Sequence, residues 1–375
     1  MRALALLVAA LALPAAAQTQ ETLFPGQSGV ELQASLRSAY KPSTVLSSAA
    51  SKDRLYDTVD RVTVGGQDGV LGLYTGWFVP LDGVPSADPS QDVFNNGVGL
   101  NQEHTWPRAE GAECNGGEPP GCDGRAEFDM HHLFPSRVQV NSDRGNLPFA
   151  EIPDAQATRW YRDDDAQSAP PTSEIDAWSE ILTSGPTSGQ AFEPREAVKG
   201  DVARALFYFA TMYGPTNLSA ASLAWFEGQR LTLYDWHVAD PITSDDQARS
   251  QRVAVFQGGR DNPFVLDSAL VRRAWVPEVS VAEAGAPLAG AVELRLVGRH
   301  PFRDAARLEL RVPRGTEARV ELLDALGRRL AVLHDGAVAA DALALRVDGA
   351  ALAPGVYVVT ARAGAEVWSQ RLVRR

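Results

Sequence analysis

Cysteine is nearly absent: the 375-residue chain has two, Cys114 and Cys122. That excludes a disulfide-rich scaffold. It also argues against a thiolate zinc site, which needs four ligands and paired Cys-x-x-Cys spacing. The two lie eight residues apart in a loop rich in Gly and Pro, so one short loop-closing bridge is the expectation. Lysine is also scarce, with Lys41, Lys52 and Lys199 the only three among 35 basic residues. No apolar run reaches the ~20 residues of a membrane span, which excludes stable membrane insertion by such a helix. The longest, Ala3 to Leu13, follows Met1-Arg2 and precedes Ala15-Ala16-Ala17. That is the layout of a secretory signal peptide over residues 1–17, and export makes a disulfide permissible.

Positive charge is also in short supply, for the net charge is −12. From residue 281 onward there are 14 Arg against 11 Asp and Glu, a balance of +3, so residues 1–280 carry −15. This argues against tight, sequence-specific duplex binding through a broad basic face. An enzyme with local cations and a metal ion is still allowed.

What is present divides into two regions. Residues 29–36 and 51–59 read as short helices, and 61–64, 70–74 and 77–79 as strands broken by glycine. Residues 81–100 are turn-rich, and 153–192 read as polar loop. The clearest helix covers 196–213. Val198, Val202, Leu206, Phe209 and Met212 fall on one face, with Lys199, Asp201 and Arg204 expected to point away. Further helices are expected at 218–226 and 245–256. Residues 275–290 read as a linker between residues 18–274 and 291–375. Short, partly alternating apolar runs at 308–312, 319–322, 330–333, 343–347 and 356–359 predict a small all-β, Ig-like sandwich. The chain as a whole is α+β.

Chemistry concentrates in Asn101-Gln102-Glu103-His104-Thr105-Trp106-Pro107 and in Asp129-Met130-His131-His132-Leu133-Phe134-Pro135, which runs on to Asn141 and Asn146. Hydrolysing a phosphodiester requires a deprotonated water, a cation on the phosphoryl oxygens and a stabilised leaving group. A neutral imidazole can take the proton, and a hard divalent ion held by few protein oxygens can offset the charge. His104 fits the first role, and Glu103 and Asn141 the second. Adjacent strand residues face opposite ways, so Glu103 and His104 require an irregular strand end. Pro107 leads us to expect a twist or bulge there. Asn141 is expected in a helix whose first turn holds Pro135.

Glu103-His104-Thr105-Trp106-Pro107, Asp129-Met130-His131-His132-Leu133-x-Pro135 and Asn141-x-x-Arg144-Gly145-Asn146 resemble the bacterial endonuclease I family in order and spacing. Phe192-Glu193-Pro194, Lys199 to Arg204, Trp236-x-x-x-Asp240-Pro241 and Gln257-Gly258-Gly259-Arg260-x-Asn262-Pro263-Phe264 extend the resemblance over about residues 30–266. It implies a ββα-metal (His-Me finger) fold with one Mg²⁺ (Mn²⁺ or Ca²⁺ as substitutes) and nuclease activity of little sequence preference on DNA and often on RNA. His104 would be the general base and Glu103 and Asn141 the metal ligands. Asp129, His131 and His132 would orient the hairpin. Arg125, with Arg108 behind it, would hold phosphate.

His300-Pro301-Phe302, Leu323-Asp324-x-x-Gly327-Arg328, Leu352-x-x-Gly355-Val356-Tyr357 and the basic end Arg371 to Arg375 resemble the type A sorting domain of the type IX secretion system. That resemblance implies export through the periplasm to the medium or cell surface, with the secretion machinery as partner. The chain is expected to be a monomer. Two alternatives remain: a secreted metallophosphodiesterase for small diesters, and a non-enzymatic surface binding protein.

Overall fold

The computed structural model describes residues 22–114, 119–183, 189–277, 293–297, 302–324, 329–340, 342–353, 355–363 and 366–374. The expected signal peptide and most of the expected linker lie outside them. The helices in chain order are α1 (Gly29–Tyr40), α2 (Ser48–Arg54), α3 (Pro89–Phe94), α4 (Val138–Arg144), α5 (Lys199–Asn217), α6 (Ala220–Ala239), α7 (Ser244–Phe256) and α8 (Leu270–Trp275). Their starts follow local chemistry. Asp88 caps α3 with Pro89 in its first turn, Ser219 caps α6, and Thr243 and Asp246 form a reciprocal capping box on α7.

The first nine strands are β1 (Arg61–Val64), β2 (Gln67–Leu71), β3 (Phe78–Pro80), β4 (Leu100–His104), β5 (Leu133–Arg137), β6 (Arg159–Arg162), β7 (Asp165–Gln167), β8 (Ser179–Leu182) and β9 (Ala191–Glu193). They form three antiparallel sheets, β1-β2-β3, β4-β5 and β7-β6-β8-β9. The last sheet corrects the reading of 153–192 as loop. Its strands are three or four residues long, too short for an alternating pattern to register.

One apolar core runs from Leu23 to Val276 around α5. Here too the structure differs from expectation. Fifteen of the 19 residues of α5 are buried, so it is enclosed on all sides and is not amphipathic. Lys199 and Arg204 do not point to solvent. The Lys199 ammonium donates to Glu151, Glu193 and Glu196, and Arg204 pairs with Asp201 and Asp246. Burying these cations is tolerated because each is paired and hydrogen-bonded. Gly200 lies between them for want of room, since a Cβ there would stand 2.3 Å from the Asp240 carbonyl oxygen.

A separate core joins strands β10 (Glu293–Val297), β11 (Ala305–Arg311), β12 (Glu317–Asp324), β13 (Arg329–Ala337), β14 (Ala342–Asp348), β15 (Gly355–Ala363) and β16 (Glu366–Arg374). They form a three-stranded sheet, β10-β11-β14, and a four-stranded one, β13-β12-β15-β16. Leu308 and Leu345 from the first sheet meet Val320 and Val359 from the second in that core. No helix of the described residues is long and apolar enough to cross a membrane.

Candidate active site

The two sequence clusters meet as neighbouring strands. β4 pairs with β5 in unbroken antiparallel register from Leu100↔Arg137 to His104↔Leu133, and α4 follows β5 directly. Pro135 lies in mid-strand opposite Gln102, not in the helix as expected, and α4 begins at Val138. The expected bulge at Glu103-His104 is absent. The ladder continues past them, with the Thr105 amide donating to the His132 carbonyl at 3.1 Å. Glu103 and His104 therefore leave the strand on opposite faces, as a regular strand demands. They remain its last two residues, at the end that leads into the connection to β5.

Glu103 faces α4 and is buried. Its Oε1 accepts from the Tyr74 hydroxyl at 2.7 Å and from Arg144 Nη1 at 3.1 Å. Burial raises the carboxyl pKa, against the pull of Arg144 and the Tyr74 hydrogen bond. Arg144 is itself buried. It also donates to the carbonyls of His104 and Thr105 and lies over the Phe149 ring. In the sequence Arg144 stands out only as part of a motif. Its partner is 41 residues earlier, and no local signal announces that pairing.

Asn141 stands on the same side. Its Nδ2 donates to Asn101 Oδ1 at 2.8 Å and to the Gln102 carbonyl at 3.1 Å. The side-chain amide is thus oriented by its nitrogen, which leaves the Oδ1 lone pairs to face a cation. Glu103 and Asn141 present two hard oxygen groups from facing elements.

On the opposite face, His104 Nε2 lies 3.0 Å from the Glu127 carbonyl. A carbonyl only accepts, so Nε2 bears the proton and Nδ1 carries the lone pair. Burial and, next, the neighbouring His132 push the His104 pKa down to about 3, with Arg108 and Lys52 acting in the same direction. The imidazole is neutral at ordinary pH, and two cations stand in its field. His132, edge-on to His104 at 5.7 Å between ring centroids, is fixed through Nε2 to the Ala126 carbonyl. His131 is fixed through Nε2 to the Arg260 carbonyl. Asp129 is fully buried and accepts from the Tyr208 and Tyr213 hydroxyls, the Gln257 amide and the His131 backbone. These three residues tie the turn before β5 to α5 and to the end of α7.

Cys114 and Cys122 are joined in a disulfide with Cα atoms 6.0 Å apart. The arginine expected to hold phosphate is spoken for. Arg125 binds Asp123 and the carbonyls of Pro42 and Ser43. Arg108 bridges Glu113 and Glu127 with half its side chain exposed, close enough to act on His104.

A neutral imidazole of fixed tautomer, beside a hairpin and helix lined with oxygen donors, is equipped to take a proton from water. The chain belongs to the endonuclease I family, whose sequence profile matches residues 28–269. It is 28% identical over 250 residues to a protein of Bacillus subtilis (strain 168) named extracellular ribonuclease, covering 64% of this chain and 72% of that one. A Bacillus amyloliquefaciens protein of the same name is 28% identical over 256 residues, with the same 64% and 72% coverage. An Aeromonas hydrophila protein named extracellular deoxyribonuclease is 30% identical over 139 residues, covering 37% of this chain and 49% of that one.

Proposed function

We propose that the chain is a secreted, metal-dependent endonuclease of the ββα-metal type that hydrolyses DNA and RNA with little sequence preference. One observation carries the reading: the neutral His104, its tautomer set by the Glu127 carbonyl, at the end of the hairpin that also bears Glu103. His104 Nδ1 takes the proton of the attacking water. The relatives' names, ribonuclease for two and deoxyribonuclease for one, support both substrates.

Glu103 and Asn141 Oδ1 would hold the ion. Two hard oxygens suit Mg²⁺, which keeps several of its own waters. When bound, the ion would offset charge on the phosphoryl oxygens. Arg144 supports the Glu103 carboxylate in its charged form, and Tyr74 fixes its direction. Arg108 and Lys52, whose charge reaches His104, are better candidates for the phosphate than Arg125.

Export is supported by the extracellular relatives and by the apolar run after Met1-Arg2. Residues 291–375 would serve as the type IX sorting module. The test is the purified full chain with plasmid DNA and with a long RNA, in Mg²⁺ or in EDTA. Cleavage of both polymers that stops in EDTA is expected. Chelator-resistant cleavage removes the metal, and hydrolysis confined to small diesters would establish the second reading, which the acidic net charge favours.

A further inference from the structure

Arg137 ends β5 and is the residue before α4. Its register partner is Leu100, at the far end of the hairpin from His104↔Leu133. That is roughly 13 Å along the strand. Asn141 follows one helical turn later, about 6 Å along the helix axis. Arg137 therefore stands at one border of the candidate site, and Arg108 and Lys52 at the other.

The surroundings of Arg137 are unusual for an acidic body. Its guanidinium lies over the Trp77 ring, 6.0 Å from the centroid, and Nη1 donates to the Asp165 carbonyl at 2.8 Å. Both side chains are half-buried. Among the described residues Arg137 has no ion-pair partner. By contrast, Arg144, Arg108 and Arg125 all pair with carboxylates. The nearby acids form no ion pair with it. Asp143 takes the Tyr161 hydroxyl and Arg159, the Asp165 carboxylate takes the Ala166 amide, and the charges of Asp164 and Asp165 act on Arg137 without a direct contact, opposed by that of Arg159.

An arginine set over an aromatic ring and, among the described residues, without an ion-pair partner offers two things at once. Its N–H groups can hold a phosphate, and its plane, backed by the ring, can stack an unpaired base. We infer that Trp77 and Arg137 form a subsite for a nucleotide flanking the bond that is cut, with preference for single-stranded substrate. Arg137 contacts the phosphate, and the Arg137–Trp77 stack receives the base. This rests on the nuclease reading above, and charge complementarity selects the occupant: the site is a local cation on a body of −15 over residues 1–280.

Binding without turnover separates the two claims. The full chain in EDTA is titrated against a fluorescein-labelled single-stranded 12-mer, followed by anisotropy. Trp77→Ala and Arg137→Gln should each weaken binding about tenfold, in the range of one stacked base. Trp77→Phe should stay within about threefold. The salt dependence of Arg137→Gln should be shallower by about 0.7 in log–log slope. With Mg²⁺, turnover of bis(p-nitrophenyl) phosphate, a diester without bases, should stay within about threefold of the parent in both variants. Unchanged oligonucleotide affinity would overturn the subsite. So would an equal loss on both substrates, since Arg137 would then only brace α4. Oligonucleotide binding by a parent that cleaves no polymer would sink the nuclease reading and leave the subsite standing.

Discussion

The Glu103–Arg144 pair makes one carboxylate answer to two demands. It must stay charged, yet it is buried with its partner, and among the described residues Arg144 forms no other ion pair. Removing one member of such a pair leaves the other charge stranded, typically at ~3–5 kcal/mol. Glu103→Ala should therefore lose that much stability in urea unfolding as well as raising the Mg²⁺ needed for half activity. Glu103→Gln should be milder in stability while still weakening the ion. Asn141→Ala should raise the Mg²⁺ requirement with little loss of stability, and Asn141→Asp, which keeps an oxygen, should be tolerated. If both Ala variants titrate with Mg²⁺ like the parent, the ion is held elsewhere. Glu103, His104 and Asn141 could be picked out in the sequence because their types match the chemistry and their motifs keep order and spacing. Tyr74 and Arg144 could not be assigned in the same way. Their roles exist only once β4 packs against α4 and the turn after β2.

Short elements hold the site together, and they were the hardest to read. The loop closed by Cys114 and Cys122 delivers Asp123, whose amide donates to Asn217 Oδ1 and whose carboxylate caps Arg125 and pairs with Lys41. Asn217 Nδ2 in turn donates to the carbonyls of Gly111 and Asp123. Gly111 is required there, for its φ is +108° and a Cβ would meet the Asn217 carbonyl at 2.6 Å. The turn Gly124–Phe128 that follows supplies the Ala126 and Glu127 carbonyls to His132 and His104. Joint Cys114→Ser and Cys122→Ser replacement should cost ~2–3 kcal/mol by the chain-entropy estimate and should also lower kcat, because the carbonyl that orients His104 is loosened. Parent-like kcat in a measurably less stable variant would show that Asp123 and Asn217 hold the turn unaided. A disulfide was legible from two isolated cysteines, eight residues apart, in a chain with the layout of a signal peptide. Its link to His104 was not, since it passes through Asn217 at the end of α5, 94 residues from Asp123.

At the scale of the molecule, the main apolar core within Leu23 to Val276, with two smaller clusters beside it, and the core within Leu294 to Leu372 are built from separate stretches of chain. The second carries none of the proposed catalytic groups. A chain ending near Gly285 should keep kcat/KM on DNA within about threefold, under ~1 kcal/mol in transition-state stabilisation, and a tenfold loss would assign the sandwich to substrate binding. The first core also makes stability depend on pH. Burial lowers the His237 pKa from 6.5 to about 4. Between those values the unfolded chain binds a proton that the folded chain refuses, so stability is full above about pH 7 and falls as pH drops, by at most ~3 kcal/mol from this group. His237→Asn should flatten that part of the slope when urea unfolding at pH 7 is compared with pH 4.5. Equal slopes would mean that His237 titrates normally. His104 is the centre of the proposed chemistry, and the most direct measurement is plasmid cleavage by His104→Ala in saturating Mg²⁺, with circular dichroism to verify the fold. The expected result is a kcat lower by about 10²–10⁴, the usual worth of a positioned general base, in a folded chain. A folded variant within threefold of the parent would contradict it.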